Sequence, residues 1–182
     1  MFRAKTTKSA SEVLVKFVVG EYGETVHRVL ADRGFAPTLY ATKRVEGAPT
    51  AIVMEFLQPL STGGSSGWST LYDLAKYEDM EPYEEIIQEE LNRLLDVLRE
   101  NKMVHGDLRP NNVMLKVDDD GELWTGDGWL KVIDFDWSGM DGDVHYNPMQ
   151  RNDSIPWPAA RLEPIVMDCD HQQIDMLLKD IF

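Results

Sequence analysis

The chain has 182 residues, of which 32 are Asp or Glu and 18 are Lys or Arg, so its formal net charge is −14. That length suits one domain or a small two-lobed unit, and a hydrophobic share of 43% is too high for a disordered chain. The acidity argues against a nucleic-acid partner, because phosphate backbones are bound by clustered Lys and Arg. The single cysteine, Cys169, excludes an intrachain disulfide and favours a reducing, cytoplasmic compartment.

The chain opens on a basic segment followed by a strand. Arg3, Lys5 and Lys8 stand among Ser and Thr in the first eleven residues. Such a composition occurs in transit peptides, but it also fits a solvated edge strand, which we favour. The β-branched run Val13–Val19 then predicts a strand. This run and Ala51–Leu57 are both too short to span a membrane, since a spanning helix needs about 20 apolar residues, and we expect no membrane partner.

A helix, two strands and a linker are predicted next. Apolar residues at helical spacing predict a helix from about Glu24, with Gly34 as its stop signal. Strands follow near Leu39–Val45 and over Ala51–Leu57. Ser61–Ser69 contains three glycines that match no phosphate-binding motif, so we interpret it as a flexible linker.

The clearest helical pattern begins at Glu81-Pro82 and ends at Asn101. Proline in the first turn and the acids Glu84 and Glu85 are favourable at a helix N-terminus. Its apolar residues recur every three or four positions and predict one buried stripe: Ile87, Leu91, Leu94, Leu95 and Leu98.

Two strands and a final helix complete the predicted elements. The strands are Val113–Val117 and Leu130–Phe135, on either side of a turn region. The tail has apolar residues at helical spacing, and we expect Asp168 or Asp170 to cap the N-terminus of that helix. These elements predict a mixed α+β chain.

Lys16 is the residue whose charge fits its surroundings least. It lies in the middle of the Val13–Val19 strand, on the same face as Leu14 and Val18. A buried ammonium group is costly unless it is paired, so we expect a carboxylate or phosphate partner. The alternative is an edge strand whose lysine lies in water.

Two further clusters carry polar groups suited to chemistry. Asp107 and Asn112 lie five residues apart, on what must be a loop because the Pro110 ring prevents a continuous helix. Asp134 and Asp136 follow an apolar run at the end of a predicted strand. Carboxylates at a strand end can bind a divalent cation together with phosphates.

Together these residues resemble the protein kinase-like superfamily. Asp107 and Asn112 match the H-x-D-x-x-x-x-N catalytic loop, and Asp134 matches the first position of D-F-G. Leu14-Val15-Lys16 resembles the strand that carries the nucleotide lysine, and Glu24 is the helix acid best placed to pair with it.

The form of the loop resembles particular branches of that superfamily. His-Gly-Asp at 105–107 is closer to aminoglycoside and choline kinases than to protein kinases. Asp134-Phe135-Asp136-Trp137-Ser138-Gly139, followed by Ile155-Pro156-Trp157-Pro158, looks like the kinase-like domains common in fungal genomes. Within the loop we expect His105 to be buried and hydrogen-bonded, and Arg109 to brace the loop.

The resemblance implies an ATP- and magnesium-dependent phosphotransferase that acts on a hydroxyl of a small molecule or a protein. Lys16 would contact the nucleotide phosphates, and Glu24 would hold this lysine in place. Asp107 would accept or orient the proton of the substrate hydroxyl. Asn112 and Asp134 would hold magnesium.

The resemblance also implies a two-lobed fold. A truncated N-lobe sheet would span residues 1–58, and a shortened helical C-lobe would span residues 59–182. The hinge would lie at the end of the first lobe and meet the adenine edge through Met54, Glu55, Phe56 and Leu57.

Three departures from the kinase pattern favour an alternative. No glycine-rich loop stands in the fifteen residues before Lys16, Asp136 replaces the glycine after Phe135, and there is no A-P-E motif. The alternative is a pseudokinase or interaction module that transfers nothing, or a non-functional fragment of a larger kinase-like protein.

Overall fold

The computed structural model of the chain describes residues 1–7, 10–44, 46–60, 66–147, 151–152 and 154–182. These residues form nine strands: β1 (Phe2–Lys5), β2 (Glu12–Val18), β3 (Leu39–Lys43), β4 (Thr50–Glu55), β5 (Gly67–Thr70), β6 (Met103–Val104), β7 (Val113–Val117), β8 (Leu130–Val132) and β9 (Gly139–Met140). They also form four α-helices: α1 (Glu24–Asp32), α2 (Leu71–Tyr77), α3 (Glu84–Glu100) and α4 (Met167–Ile181). The predicted α+β class is confirmed.

Four strands form an antiparallel sheet in the order β1-β2-β4-β3. β1 pairs with one side of β2, with Phe2 opposite Val15, so the edge-strand interpretation of the first residues is confirmed. The other side of β2 pairs with β4 and places Lys16 opposite Ile52. Lys16 therefore lies on an inner strand, where its side chain is only 16% exposed.

Helix α1 begins at Glu24, as predicted, and ends two residues before Gly34. Gly34 has a φ of +84°, the left-handed conformation that lets glycine end a helix at low cost. Strand β3 follows and ends at Lys43. Val45, the predicted end of this strand, lies outside the described residues.

The long helix predicted from Glu81 to Asn101 is confirmed with one refinement. Glu81–Tyr83 forms a 3₁₀ turn before α3 begins, and Asn101 is the C-cap residue of α3. The predicted stripe is buried throughout and belongs to the main core: Ile87, Leu91, Leu94, Leu95 and Leu98.

The linker prediction is wrong for the second half of its range. Strand β5 pairs with β7, with Trp68 opposite Lys116, and α2 follows at once. The Thr70 hydroxyl caps α2 by accepting a hydrogen bond of 2.9 Å from the backbone N–H of Asp73. A strand formed through a distant partner leaves little local signal, and the glycine and the serine of β5 are typical of a loop. Residues 61–65 of the linker lie outside the described residues.

The N-terminus of α4 differs from the prediction. Its N-cap residue is Val166, and no side chain caps it. Asp170, one of the two expected caps, is fully buried inside the protein and bonded to a loop described below. Among the described residues, no helix is both long and apolar enough to cross a membrane.

Candidate active site

A cleft of about 490 Å³ brings most of the predicted site residues together. Seven of the nine line it: Lys16, Met54, Glu55, Phe56, Leu57, Asn112 and Asp134. Glu24 and Asp107 are the two that do not.

Lys16 lies at the centre of an ion-pair cluster in this cleft. Its Nζ is 2.6 Å from Oδ1 of Asp134 and 2.7 Å from Oδ1 of Asp136. Burial alone would lower the pKa of Lys16, but the two carboxylates outweigh burial and raise this pKa. The expected acidic partner of the buried ammonium is therefore present, and Lys16 stays charged.

The segment that carries both acids leaves its strand sharply. β8 ends at Val132, earlier than the predicted Phe135, and Asp134 has a φ of +73°. The backbone N–H of Ile133 donates to the carbonyl oxygen of Asn112 at 3.0 Å, which ties this segment to the loop that carries Asp107. Burial raises the pKa of Asp136, Lys16 opposes this rise, and neighbouring Asp134 adds to it.

Phe135 fixes the segment by packing into a cluster of rings. Its ring stacks on His27 with centroids 4.3 Å apart, and it also contacts Tyr22 and His105. Nδ1 of His27 lies 2.6 Å from the Tyr22 hydroxyl, and its Nε2 lies 2.7 Å from the carbonyl oxygen of Pro37. Because that carbonyl can only accept, Nε2 carries the proton and the Tyr22 hydroxyl donates to Nδ1.

His105 is fully buried, as expected from the sequence. Its Nδ1 accepts a hydrogen bond of 3.3 Å from the backbone N–H of Asp107. Burial lowers the pKa of both His105 and His27 to about 4, so both rings are neutral near pH 7.

The backbone of the loop from His105 to Leu108 is held by side chains from elsewhere. Asp170 accepts from the N–H of His105 at 2.7 Å and from the N–H of Gly106 at 2.8 Å. Gln173 accepts from the N–H of Leu108 at 2.9 Å. Tyr146 donates its hydroxyl to the carbonyl oxygen of Gly106 at 3.0 Å. These contacts satisfy buried polar groups and fix the loop's conformation.

The sequence did not identify Asp170 and Gln173 as residues that shape the site. Both are buried on the same face of α4 as Ile174 and Leu177. Two polar side chains inside an apolar helical stripe were the available signal, since buried polar groups require partners.

Asp107 is nearly inaccessible, with 2% of its surface exposed. Arg109 binds both of its carboxylate oxygens, and the Nη2–Oδ2 distance is 2.8 Å. Burial raises the pKa of Asp107, while Arg109 opposes that rise. Asn112 donates from Nδ2 to the carbonyl oxygen of Asp107 at 3.0 Å. Arg109 therefore braces this loop, as expected from the sequence.

Glu24 does not pair with Lys16. Its carboxylate accepts from Arg28 one helical turn later, at 2.9 Å, and lines a separate cavity of about 460 Å³. The N–H of Gly23 donates to the carbonyl oxygen of Phe135 at 2.9 Å and so fixes the start of α1 on that segment. A helix held in this position presents Glu24 to Arg28 instead of to the lysine.

The Glu55 side chain is bonded to other groups of the protein. Its Oε2 accepts from Lys131 Nζ at 2.9 Å and from the N–H of Thr38 at 3.0 Å. Its own N–H donates to the carbonyl oxygen of Thr38 at 2.8 Å. Although burial would raise the pKa of Glu55, the contacts with Lys131 and Thr38 hold it below its usual range.

The donor atoms in the cleft fit a magnesium ion that arrives with phosphates. Asp134 supplies a carboxylate, and Asn112 has an amide oxygen left because its Nδ2 is bonded within the loop. Protein sites for Mg²⁺ commonly use one or two carboxylates together with substrate phosphates. In the part of the chain that the structure describes, no group of three or more His, Cys, Asp or Glu side chains could hold a metal alone.

Comparison with known proteins supports the fold. No protein-family model matches the chain, and neither does any curated protein. Among solved structures, the fold is similar to that of the kinase PK-1 of Cydia pomonella granulovirus, with a TM-score of 0.65 and 17% sequence identity. The alignment covers 98% of this chain and 62% of the viral kinase chain. The chain has a kinase-like α+β fold with reduced lobes.

Proposed function

We propose that the chain is an ATP- and magnesium-dependent phosphotransferase that transfers the γ-phosphoryl group to a hydroxyl of a small molecule or a protein. The observation that carries this proposal is the meeting of Lys16 and Asp134 at 2.6 Å, although they are 118 residues apart in the chain. They meet in a cleft that the Met54–Leu57 segment also lines. A cation for phosphates and a carboxylate for a metal are thus adjacent.

Each residue would perform a task that its chemistry allows. The Lys16 ammonium would leave Asp134 and contact the nucleotide phosphates. Asn112 and Asp134 would hold magnesium, which offsets the charge of the triphosphate when it is bound. Because the N–H of Glu55 is already bonded to Thr38, the backbone of Phe56 and Leu57 is the part of the hinge that we assign to the adenine edge.

Asp107 would receive the proton of the attacking hydroxyl, while the bond from the γ-phosphorus to the β–γ bridging oxygen breaks and the new P–O bond forms. Arg109 now covers this carboxylate, so the acceptor must displace the guanidinium from at least one oxygen. Contacts of this kind often rearrange when substrate binds.

The fold supports a proposed division into two lobes. The N-lobe, residues 1–58, would consist of the four-stranded sheet, α1 and the hinge at the end of this lobe. The remaining residues, 59–182, would form the C-lobe.

The H-G-D loop supports placing the chain near aminoglycoside and choline kinases, and the D-F-D-W-S-G segment supports placing it near fungal-type kinase-like domains. A lone buried thiol, Cys169, supports a reducing, cytoplasmic compartment.

A pseudokinase or interaction module that transfers nothing is the second candidate. The Asp107–Arg109 pair favours it, because a carboxylate that is 2% exposed and bound at both oxygens is poorly placed to meet a hydroxyl. Asp136 favours it too, since a second acid adds negative charge beside the site for the phosphates.

Thermal-shift titration with ATP and magnesium tests nucleotide binding. We expect a magnesium-dependent rise in melting temperature that Asp134→Ala abolishes, because a ligand that binds only the folded state stabilises it. No shift at millimolar ATP would exclude the enzyme function. Asp107→Ala should then keep nucleotide binding but lose ATP turnover, including slow hydrolysis. An unchanged rate would count against Asp107 as the base.

A further inference from the structure

Lys16 has more acidic partners than the kinase resemblance assigns to it. One of them, Asp134, is the acid that the proposed function commits to magnesium. The second, Asp136, lies 2.7 Å from the lysine Nζ and stands where the resemblance has a glycine. Its side chain is 31% exposed and the lysine side chain 16%, so the pair is partly screened from water.

Glu24, the helix acid that we expected to hold Lys16, is bonded to a different residue. Glu24 and Lys16 line different cavities, and Tyr22 lines both. The Lys16 Nζ is 5.9 Å from the centre of the Tyr22 ring, and the Tyr22 hydroxyl is bonded to His27. Tyr22 therefore lies near the lysine between the two cavities, while Glu24 is bonded to Arg28.

We propose that Asp136 is the positioning residue for Lys16, in place of a helix glutamate. The inference rests on the proposed function, because a lysine needs positioning only if it binds phosphates. When Asp134 is committed to a metal, Asp136 remains as the carboxylate that holds the ammonium in the cleft. The lysine would then be positioned by the segment that carries the metal aspartate, and not by α1.

The first test needs no nucleotide. Two double-mutant cycles are measured on the melting temperature. One combines Lys16→Met with Asp136→Asn, and the matched cycle combines Lys16→Met with Glu24→Gln. We expect the decreases in melting temperature to be non-additive in the Lys16–Asp136 cycle and additive in the Lys16–Glu24 cycle. Coupling in the Glu24 cycle without coupling in the Asp136 cycle would overturn the inference.

The second test measures the affinity for a fluorescent ATP analogue with and without magnesium. Asp136→Asn should weaken binding about tenfold under both conditions, the scale of one lost charge-assisted hydrogen bond. Asp136→Glu should restore much of the affinity, and Glu24→Gln should leave it unchanged. A loss confined to the magnesium condition would make Asp136 a metal ligand instead and refute the positioning role.

The two tests separate this inference from the proposed function. If wild-type protein binds no nucleotide under either condition, the phosphotransferase proposal fails, but the cycles still decide which acid holds Lys16. If nucleotide binds and Asp136→Asn has no effect, the function survives and the inference fails.

Discussion

The carboxylate of Asp170 accepts a hydrogen bond of 2.8 Å from the backbone N–H of Gly106, 64 residues earlier in the chain. Its other oxygen accepts from the neighbouring N–H of His105. The same loop places Asp107 and Asn112. A side chain on α4, distant from the cleft in sequence, therefore determines the conformation of the loop that carries two candidate site residues.

Replacing Asp170 with Ala should strongly destabilise the protein. Two buried N–H groups would lose their acceptors, and each unsatisfied group costs about 1–3 kcal/mol. We expect urea unfolding to report a loss of that order. Asp168→Ala is the matched control, because Asp168 is an exposed acid on the same helix, and this change should alter the stability little. Equal losses for the two variants would show that Asp170 is not holding the loop.

Gly106 should tolerate no side chain. It has a φ of +81°, and a Cβ atom there would lie 2.8 Å from the carbonyl oxygen of Trp137. Gly106→Ala should cost about 1–2 kcal/mol for the left-handed backbone and about 1–3 kcal/mol more for the clash. Gly121→Ala is the matched control, because Gly121 has a φ of +87° but an added Cβ atom would meet no heavy atom within 4 Å. Unfolding free energies of similar size for both variants would contradict the crowding at Gly106.

The sequence is most informative where local pattern and burial agree. The Ile87–Leu98 stripe predicts α3, and the apolar run around Lys16 predicts a buried strand with one charge that needs a partner. Asp134 could be found because an acid directly after a buried strand is unusual in both position and chemistry. In each case the signal lies within a few neighbouring residues.

The parts of the fold and the site that the sequence does not predict depend on contacts between distant segments. β5 forms by pairing with β7, so the local composition around Trp68 predicts a loop. Asp170 resembles a helix cap in sequence because its true partners, in the His105–Leu108 loop, are far away in the chain. Order along the chain predicts a Glu24–Lys16 pair that does not form, because the Gly23–Phe135 hydrogen bond determines where α1 begins in space and Glu24 is bonded to Arg28.

His27 should make the protein less stable in acid. Burial lowers its pKa to about 4, while an unfolded histidine titrates near 6.5, so the unfolded state binds more protons between these values. The free energy of unfolding should therefore fall as the pH drops from about 6.5 to about 4, by up to about 1.4 kcal/mol per pH unit for this residue.

His27→Gln should flatten that dependence relative to wild type. The variant must be compared with wild type because Asp170 also affects the slope. Burial raises the pKa of Asp170 to about 7, so its contribution to the free energy of unfolding increases as the pH falls over the same pH range. Urea unfolding measured at several pH values between about 4 and 7 checks the prediction. An identical slope in wild type and His27→Gln would contradict a neutral, buried His27.

The most direct test of the proposed nucleotide site is calorimetric titration of the wild-type chain and Asp134→Asn with ATP, each with and without magnesium. We predict saturable binding of one nucleotide per chain that magnesium strengthens, and loss of the magnesium effect in the variant, because Asp134 is the carboxylate assigned to the metal. Binding that is the same in both proteins, or no binding to the wild type, would contradict the central claim that the Lys16–Asp134 cleft is a nucleotide site.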